Sequence, residues 1–411
     1  MDNVNEINSC EVCDGKKLES VLNLGKLPLC DDLLPIGSKE NCIEYRTEIL
    51  FCVNCSTAHQ RFQVDKSYLF PETYHYRARF TKDVLIGMQD IVDQCVKNYG
   101  DLKNKKILDI GCNDGSLLTF FRKKGAKTYG IEPTGAALEA KEQGHIVVND
   151  FFNLKTSEKF VKDYGKPDFI TFTNVFAHIE NLKELLCSLK KLLSDNTIII
   201  VENHYLGSIL NSNQFDTFYH EHPRSYSYAS FLEISKKLDC TISNVEFPAR
   251  YGGNIRVYME NSSLGKQVDA VYSREILSRE KNFQRMFQAM SENIFSWKKS
   301  KQKEISKLLV DKQYLVAKAF PGRAAILIRI LELDHHTIHA VYEKDGSKKI
   351  GKYVPGTKIP ILPDSELFNS NDNFSIINLA WHIPSEIREY LKNNHITSKV
   401  IDIISPSDFK R

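Results

Sequence analysis

Residues 107–134 read ILDIGCNDGSLLTFFRKKGAKTYGIEPT, and this stretch decides the fold. An apolar run of Ile107, Leu108 and Ile110 stops at Gly111. A second glycine, Gly115, opens a segment with Leu117, Leu118 and Phe121 at helical spacing, so the order is strand, tight loop, helix. A further apolar run, Tyr129 to Ile131, ends in Glu132. That acid falls about twenty residues past the loop, where a nucleoside-binding β-α-β unit places its ribose ligand.

The loop then discriminates among nucleosides. Dinucleotide folds use GxGxxG so that the backbone can press against a pyrophosphate. Here Gly111 and Gly115 enclose Cys112, Asn113 and Asp114, and an aspartate in a phosphate cradle would repel its ligand. S-adenosylmethionine carries a sulfonium and an ammonium group instead, which Asp109 and Asp114 would attract. The expected cofactor-binding set in this stretch is Asp109, Gly111, Asn113, Asp114, Gly115 and Glu132.

Working outward, the β-α order continues. Ile146 to Val148 is a strand followed by Asp150 and Phe151, suited to cover an adenine. Phe169 to Thr173 is the next strand, followed by Asn174 and His178, then a helix from Leu182 to Leu193. Thr197 to Val201 is a strand ending in Glu202 and Asn203. Ligands of an open α/β sheet sit beyond the carboxyl ends of its strands, where Asp150, Asn174, His178, Glu202 and Asn203 all fall. Of these, His178 reads more readily as a hydrogen-bonded wall residue. Beyond lies Tyr219-His220-Glu221-His222, a surface loop or a catalytic one. A histidine takes a proton near neutral pH, and the run lacks the H-E-x-x-H spacing of a zinc helix. Thr241 to Phe247 and Asn254 to Met259 read as a hairpin that turns Arg256 toward the site.

The amino terminus carries different chemistry. Six of the ten cysteines lie in the first 55 residues. Cys10-Glu-Val-Cys13 and Cys52-Val-Asn-Cys55 form a pair of C-x-x-C corners able to give zinc four thiolates, a closed structural site, with Cys30 and Cys42 as spare thiols. Between this module and the nucleoside unit, Tyr74 and Tyr76 bracket His75, and Thr81 to Tyr99 is an amphipathic helix. In the last third, strands are expected at Tyr314 to Ala317, Ile338 to Tyr342, Phe374 to Asn378 and Val400 to Ile404, with helices at Ala324 to Glu332 and Ser385 to Asn393.

Composition limits the function classes. With 42% hydrophobic and 26% charged residues the 411-residue chain is globular, large enough for two or three domains. A net charge of +3 points to no polyanion-binding tail, so neither nucleic acid nor membrane is an expected partner. A polar start and the lack of any long apolar run point to the cytoplasm.

Together, ILDIGCNDG with Glu132, NVFAHIEN, YHEH, YGGNIR, the paired C-x-x-C corners, KIGKYVPGTKIPI and NLAWHIPSEI resemble the S-adenosylmethionine-dependent C-methyltransferases of nucleotide-linked 4-keto-deoxysugars, over nearly the whole chain. The resemblance implies an α/β fold: a Rossmann-like methyltransferase core flanked by a small N-terminal zinc module and a C-terminal α/β domain. The expected boundaries are 1–70, 71–300 and 301–411, in a monomer. It further implies that His222 removes the proton next to the sugar ketone, that Tyr219 and Glu221 hold the sugar, and that Tyr76 lines the same pocket. The enolate then attacks the sulfonium methyl. Tyr74, His178, Asn203 and Arg256 are the remaining expected sugar contacts. In the family, a glycine- and lysine-rich turn of the last domain meets the nucleotide phosphates. Here that turn is AFPGRA, leaving Arg323 as the phosphate ligand, and Tyr251 stands where a histidine is usual. O-methylation and a non-catalytic sugar-nucleotide scaffold are the alternatives.

Overall fold

The computed structural model describes residues 3–71, 76–310, 314–370 and 374–409, so the expected sugar contact Tyr74 lies outside the described residues, as does the side chain of Tyr251. The chain forms two compact units. One comprises Met1–Glu19, Leu50–Ile209 and Glu221–Gln284, the other Ser20–Ile49, Leu210–His220 and Arg285–Arg411. This grouping interleaves the linear boundaries expected at 70 and 300, because Ser20–Ile49 and Leu210–His220 cluster with the C-terminal residues.

The first unit is built on seven strands: β1 Lys106–Ile110, β2 Lys127–Ile131, β3 Ile146–Val148, β4 Phe169–Thr173, β5 Ile198–His204, β6 Cys240–Glu246 and β7 Asn254–Asn261. Their order is β3-β2-β1-β4-β5-β7-β6, with β1 to β5 parallel and the β6/β7 hairpin antiparallel. Apolar side chains leave both faces of the strands, which is why they read as near-continuous apolar runs. Leu108, Ile110, Ile170, Phe172 and Val201 pack on one face, and Ile107, Phe169 and Ile200 on the other with Leu117, Leu118 and Phe121 of helix Ser116–Lys123. Gly130 in β2 permits this packing, since a Cβ there would lie 2.4 Å from Cys112 Sγ.

β5 outruns its expected end at Val201. The antiparallel ladder to β7 pairs Glu202 with Arg256 and His204 with Asn254, so backbone partners are available three residues further. Glu202, Asn203 and His204 therefore project from a strand and not from a loop.

The second unit contains β8 Tyr314–Lys318, β9 Val341–Glu343, β10 Lys352–Tyr353, β11 Pro360–Pro363, β12 Phe374–Asn378 and β13 Val400–Asp402. Their order is β10-β11-β9-β8-β12-β13, parallel except for β10 against β11. KIGKYVPGTKIPI supplies that short antiparallel pair, which the sequence did not reveal. β9 starts later than expected, the residues before it being tied only by single bonds such as His339 N–H to Leu315 O at 2.9 Å. Among the described residues no helix is long and apolar enough to cross a membrane.

Candidate active site and zinc centre

The four corner cysteines converge. Cys10 Sγ lies 3.4 Å from Cys55 Sγ and Cys13 Sγ 3.5 Å from Cys52 Sγ, all four within 4.8 Å of one another. Four thiolates at about 2.3 Å from zinc stand about 3.8 Å apart, so the donor set fits the metal with no open position. Both corners close in the same way. Asp14 and Ser56 take left-handed φ values of 58° and 53°, and their N–H groups donate to Cys10 O and Cys52 O at 2.9 Å. Cys42 instead donates to Asp32 O at 3.2 Å, and Cys30 is buried beside Leu27 and Ile326, so both stay outside the cluster.

Glu11, inside the first corner, anchors this module to the core. The fully buried Arg224 donates from Nη1 to Glu11 Oε2 at 2.7 Å and to Glu180 O at 2.9 Å, from Nε to Tyr226 Oη at 2.9 Å, and from Nη2 to Ile179 O. Burial alone would push the Glu11 carboxyl up, but the Arg224 charge and His59 override it and hold it at about 2. Ile179 and Glu180 directly follow His178, so one guanidinium ties the zinc corner to a histidine-bearing loop.

At the β1 turn, Gly111 has φ 69° and Gly115 φ 78°. A Cβ on Gly111 would lie 2.6 Å from Val175 Cγ1, and one on Gly115 2.7 Å from His145 Cδ2 and 3.0 Å from Ala140 Cβ. Glu132 stands at the end of β2, its Oε2 accepting from Asn113 N–H and its Oε1 from Thr134 N–H, both at 2.9 Å. This glycine cradle with a ribose acid beneath it fits S-adenosylmethionine. Phe151 is half-buried with Lys66 Nζ 4.9 Å from its ring centre, while the exposed Asp150 accepts from Phe151 N–H. Asn174 sits in the left-handed region (φ 55°), its N–H bonded to Glu202 O at 2.7 Å.

Two acids are placed differently from expectation. Asp114 is fully buried and accepts from Ser116 N–H, Ser116 Oγ and Arg79 N–H at 3.2, 2.6 and 3.1 Å, which makes it a clasp for the following helix and for residue 79. Asp109 lies under the loop, accepting from Thr171 Oγ1 at 2.7 Å, and burial with the neighbouring Glu132 charge raises its carboxyl to about 7. Both are engaged within the protein, Asp114 by the turn and the following helix and Asp109 by Thr171 of β4. Asn113 also reaches upward, accepting from Ala78 N–H at 3.0 Å and donating to Tyr76 O at 3.1 Å, so the exposed Tyr76 is held through its backbone by the cofactor loop.

The histidines gather at the carboxyl ends of β4 and β5. His222 Nε2 lies 3.0 Å from His178 Nε2, and the His222 ring centre is 5.6 Å from that of His204. His178 stacks on Phe70 at 5.3 Å, and burial lowers its pKa to about 4, so it is neutral at working pH. Glu221 and His222 are both buried, and on β5 both amide atoms of the buried Asn203 have no hydrogen-bond partner among the described residues. A buried amide with neither atom satisfied points to a polar group that a ligand brings. His204 was missed in the sequence because the strand was expected to end three residues earlier.

In the second unit, Tyr219 packs half-buried against Leu27, Cys30 and Ile326, and His220 is a core histidine bonded to Thr47 Oγ1 at 3.1 Å.

Both arginines expected to meet substrate are occupied within the protein. Arg256 is fully buried, with Nε 2.6 Å from Glu202 Oε2, Nη1 2.9 Å from Glu246 Oε2 and Nη2 2.8 Å from Asp90 Oδ2. Arg250 reaches the other Glu202 oxygen at 3.1 Å, passing over Gly87, where a Cβ would overlap its guanidinium. Arg323 donates to Thr217 Oγ1 at 3.0 Å, lies 3.7 Å from Asp216 Oδ2, and faces the Trp381 ring. A hairpin read in sequence gives the alternation of Arg256 but not the carboxylates brought to it by β5, β6 and helix Lys82–Tyr99.

Three family profiles match in order: a zinc binding domain at residues 10–70, a methyltransferase domain at 80–245 and a C-methyltransferase C-terminal domain at 249–405. The chain is an S-adenosylmethionine-dependent methyltransferase, its three segments matching these profiles in order. Over 408 residues it is 24% identical to the C-methyltransferase NovU of Streptomyces niveus, covering 95% of each chain. A shorter match, 34% over 112 residues, covers 24% of this chain and 44% of the ubiquinone biosynthesis O-methyltransferase of Histophilus somni. Among solved structures, magnesium protoporphyrin IX methyltransferase from Synechocystis with bound SAH is 16% identical with a TM-score of 0.35, over 44% of this chain and 83% of that one. The methyltransferase thus pairs a four-cysteine zinc cluster with a methyl-donor site at the β1 turn.

Proposed function

We propose that this C-methyltransferase alkylates a keto-deoxysugar carried on a nucleotide, in the cytoplasm and as a monomer, with His222 as the base. The observation that carries the reading is the pairing of the buried His222 with the half-buried His178 beside the unsatisfied Asn203 amide, at the sheet edge that also holds the cofactor loop. Two imidazole nitrogens 3.0 Å apart share one proton. With His178 neutral, the tautomer in which His222 donates from Nε2 puts its basic lone pair on Nδ1 and leaves His178 to orient the ring, as the third member of a triad orients a catalytic histidine. A proton next to a ketone is acidic enough for such a base if the enolate oxygen meets a donor, a role for the Asn203 amide or the Tyr76 hydroxyl. Glu221, next to the base, holds a sugar hydroxyl. The cofactor supplies an electrophilic methyl group, and the protein's share of the acceleration lies in holding the sugar carbon in line with it. The nucleotide is assigned to the C-terminal α/β domain.

The test uses candidate nucleotide-linked keto-sugars and methyl-labelled donor. NMR of the product is expected to show the label on carbon, and the substrate is expected to exchange its α-proton with deuterated solvent in the absence of donor. His222→Ala should abolish that exchange while retaining affinity for S-adenosylhomocysteine. A methyl group on oxygen, or exchange undiminished in His222→Ala, overturns the reading.

A further inference from the structure

The C-terminal unit repeats the construction of the cofactor site. Around β1 the strand order is β3-β2-β1-β4-β5, and around β8 it is β11-β9-β8-β12-β13, the same order of first, second and later strands. In each, the residue just after the first strand has a positive φ, 69° at Gly111 and 61° at Ala319. In each, its N–H donates to the carbonyl just before an acid, Gly111 to Ile131 O at 2.7 Å and Ala319 to Tyr342 O at 2.9 Å. That acid then accepts an N–H from the turn: Glu132 from Asn113 at 2.9 Å, Glu343 from Phe320 at 2.5 Å. An alanine in the left-handed region is uncommon, so the turn is held for this geometry and not merely tolerated.

We infer that Glu343, half-buried at the end of β9, receives a sugar-ring hydroxyl of the nucleotide that carries the substrate, as an acid at the end of the second strand does in nucleoside-binding units. This rests on the nucleotide-linked reading given above. It replaces Arg323 as the anchor, since that guanidinium is engaged with Asp216, Thr217 and Trp381. Lys349, whose Nζ donates to Phe320 O at 2.6 Å, places a cation beside the same turn to meet the diphosphate.

The experiment is calorimetric titration of the full chain, saturated with S-adenosylhomocysteine, with the diphosphates of uridine, thymidine, cytidine and guanosine, and with the 2′,3′-dideoxy form of the one that binds best. Wild type is expected to bind that diphosphate at least about tenfold more tightly than its dideoxy form, the range of a hydrogen bond to a charged group. Glu343→Ala should lose the same factor for the parent nucleotide and no longer distinguish the two, and Glu343→Gln should fall between. Affinity for S-adenosylhomocysteine should not change. A wild type indifferent to the missing hydroxyls, or a Glu343→Ala protein that still discriminates, overturns the role of Glu343 alone. Binding of none of the four diphosphates to wild type overturns both this role and the nucleotide-linked reading.

Discussion

Replacing Arg224 with methionine should show how the zinc module supports the catalytic loop. The side chain is fully buried and donates to Glu11, Tyr226, Ile179 and Glu180. Methionine matches much of its volume but none of its donors. It strands the Glu11 carboxylate and two carbonyls, and breaking one side of a buried ion pair costs about 3–5 kcal/mol. A second route gives a similar size. Holding Glu11 at about 2 instead of its ordinary 4.5 corresponds to roughly 3 kcal/mol at neutral pH. For a depressed carboxyl that stability is complete above pH 4.5 and lost as pH falls toward 2. Urea and thermal unfolding of the zinc-loaded protein should therefore show a deficit of about 3–5 kcal/mol at pH 7. Because Ile179 and Glu180 adjoin His178, kcat should also fall while affinity for S-adenosylhomocysteine holds. A deficit under about 1 kcal/mol at pH 7 refutes the reasoning.

Metal analysis is expected to find a single zinc per chain at the four-cysteine cluster, with Cys52→Ser or strong chelation unfolding the N-terminal module in circular dichroism. Asp109, with its pKa raised to about 7 by burial, binds its proton more tightly folded than unfolded, so its contribution declines as pH rises from about 4 to 7. Asp109→Asn should consequently gain stability relative to wild type between pH 5 and pH 8, by roughly 3 kcal/mol at most, in paired melting curves. Arg256→Met should destabilise the fold by about 3–5 kcal/mol by stranding buried Glu202. An effect confined to KM for the sugar would instead restore Arg256 to the substrate. Asn203→Leu should raise KM or lower kcat for the sugar with little change in unfolding free energy, since its amide has no partner to lose among the described residues.

The cofactor loop and the zinc corners were legible in sequence because both are local: a turn that needs positive φ at Gly111 and Gly115, and thiols spaced two residues apart. So was the β-α order, since each strand and helix carries its own periodicity. What sequence could not settle was where charged side chains spend their charge. Arg256, Arg323 and Asp114 read as ligand contacts when taken alone, and in the fold each is occupied by partners far away in the chain or by the turn it closes. The same holds for β5, whose extra length, and with it the place of His204, comes from a ladder to a strand some fifty residues on. Local backbone geometry is written in neighbouring residues. Which buried charge is neutralised, and which amide is left for a ligand, depends on what packing brings within three ångströms, and only the tertiary structure decides that.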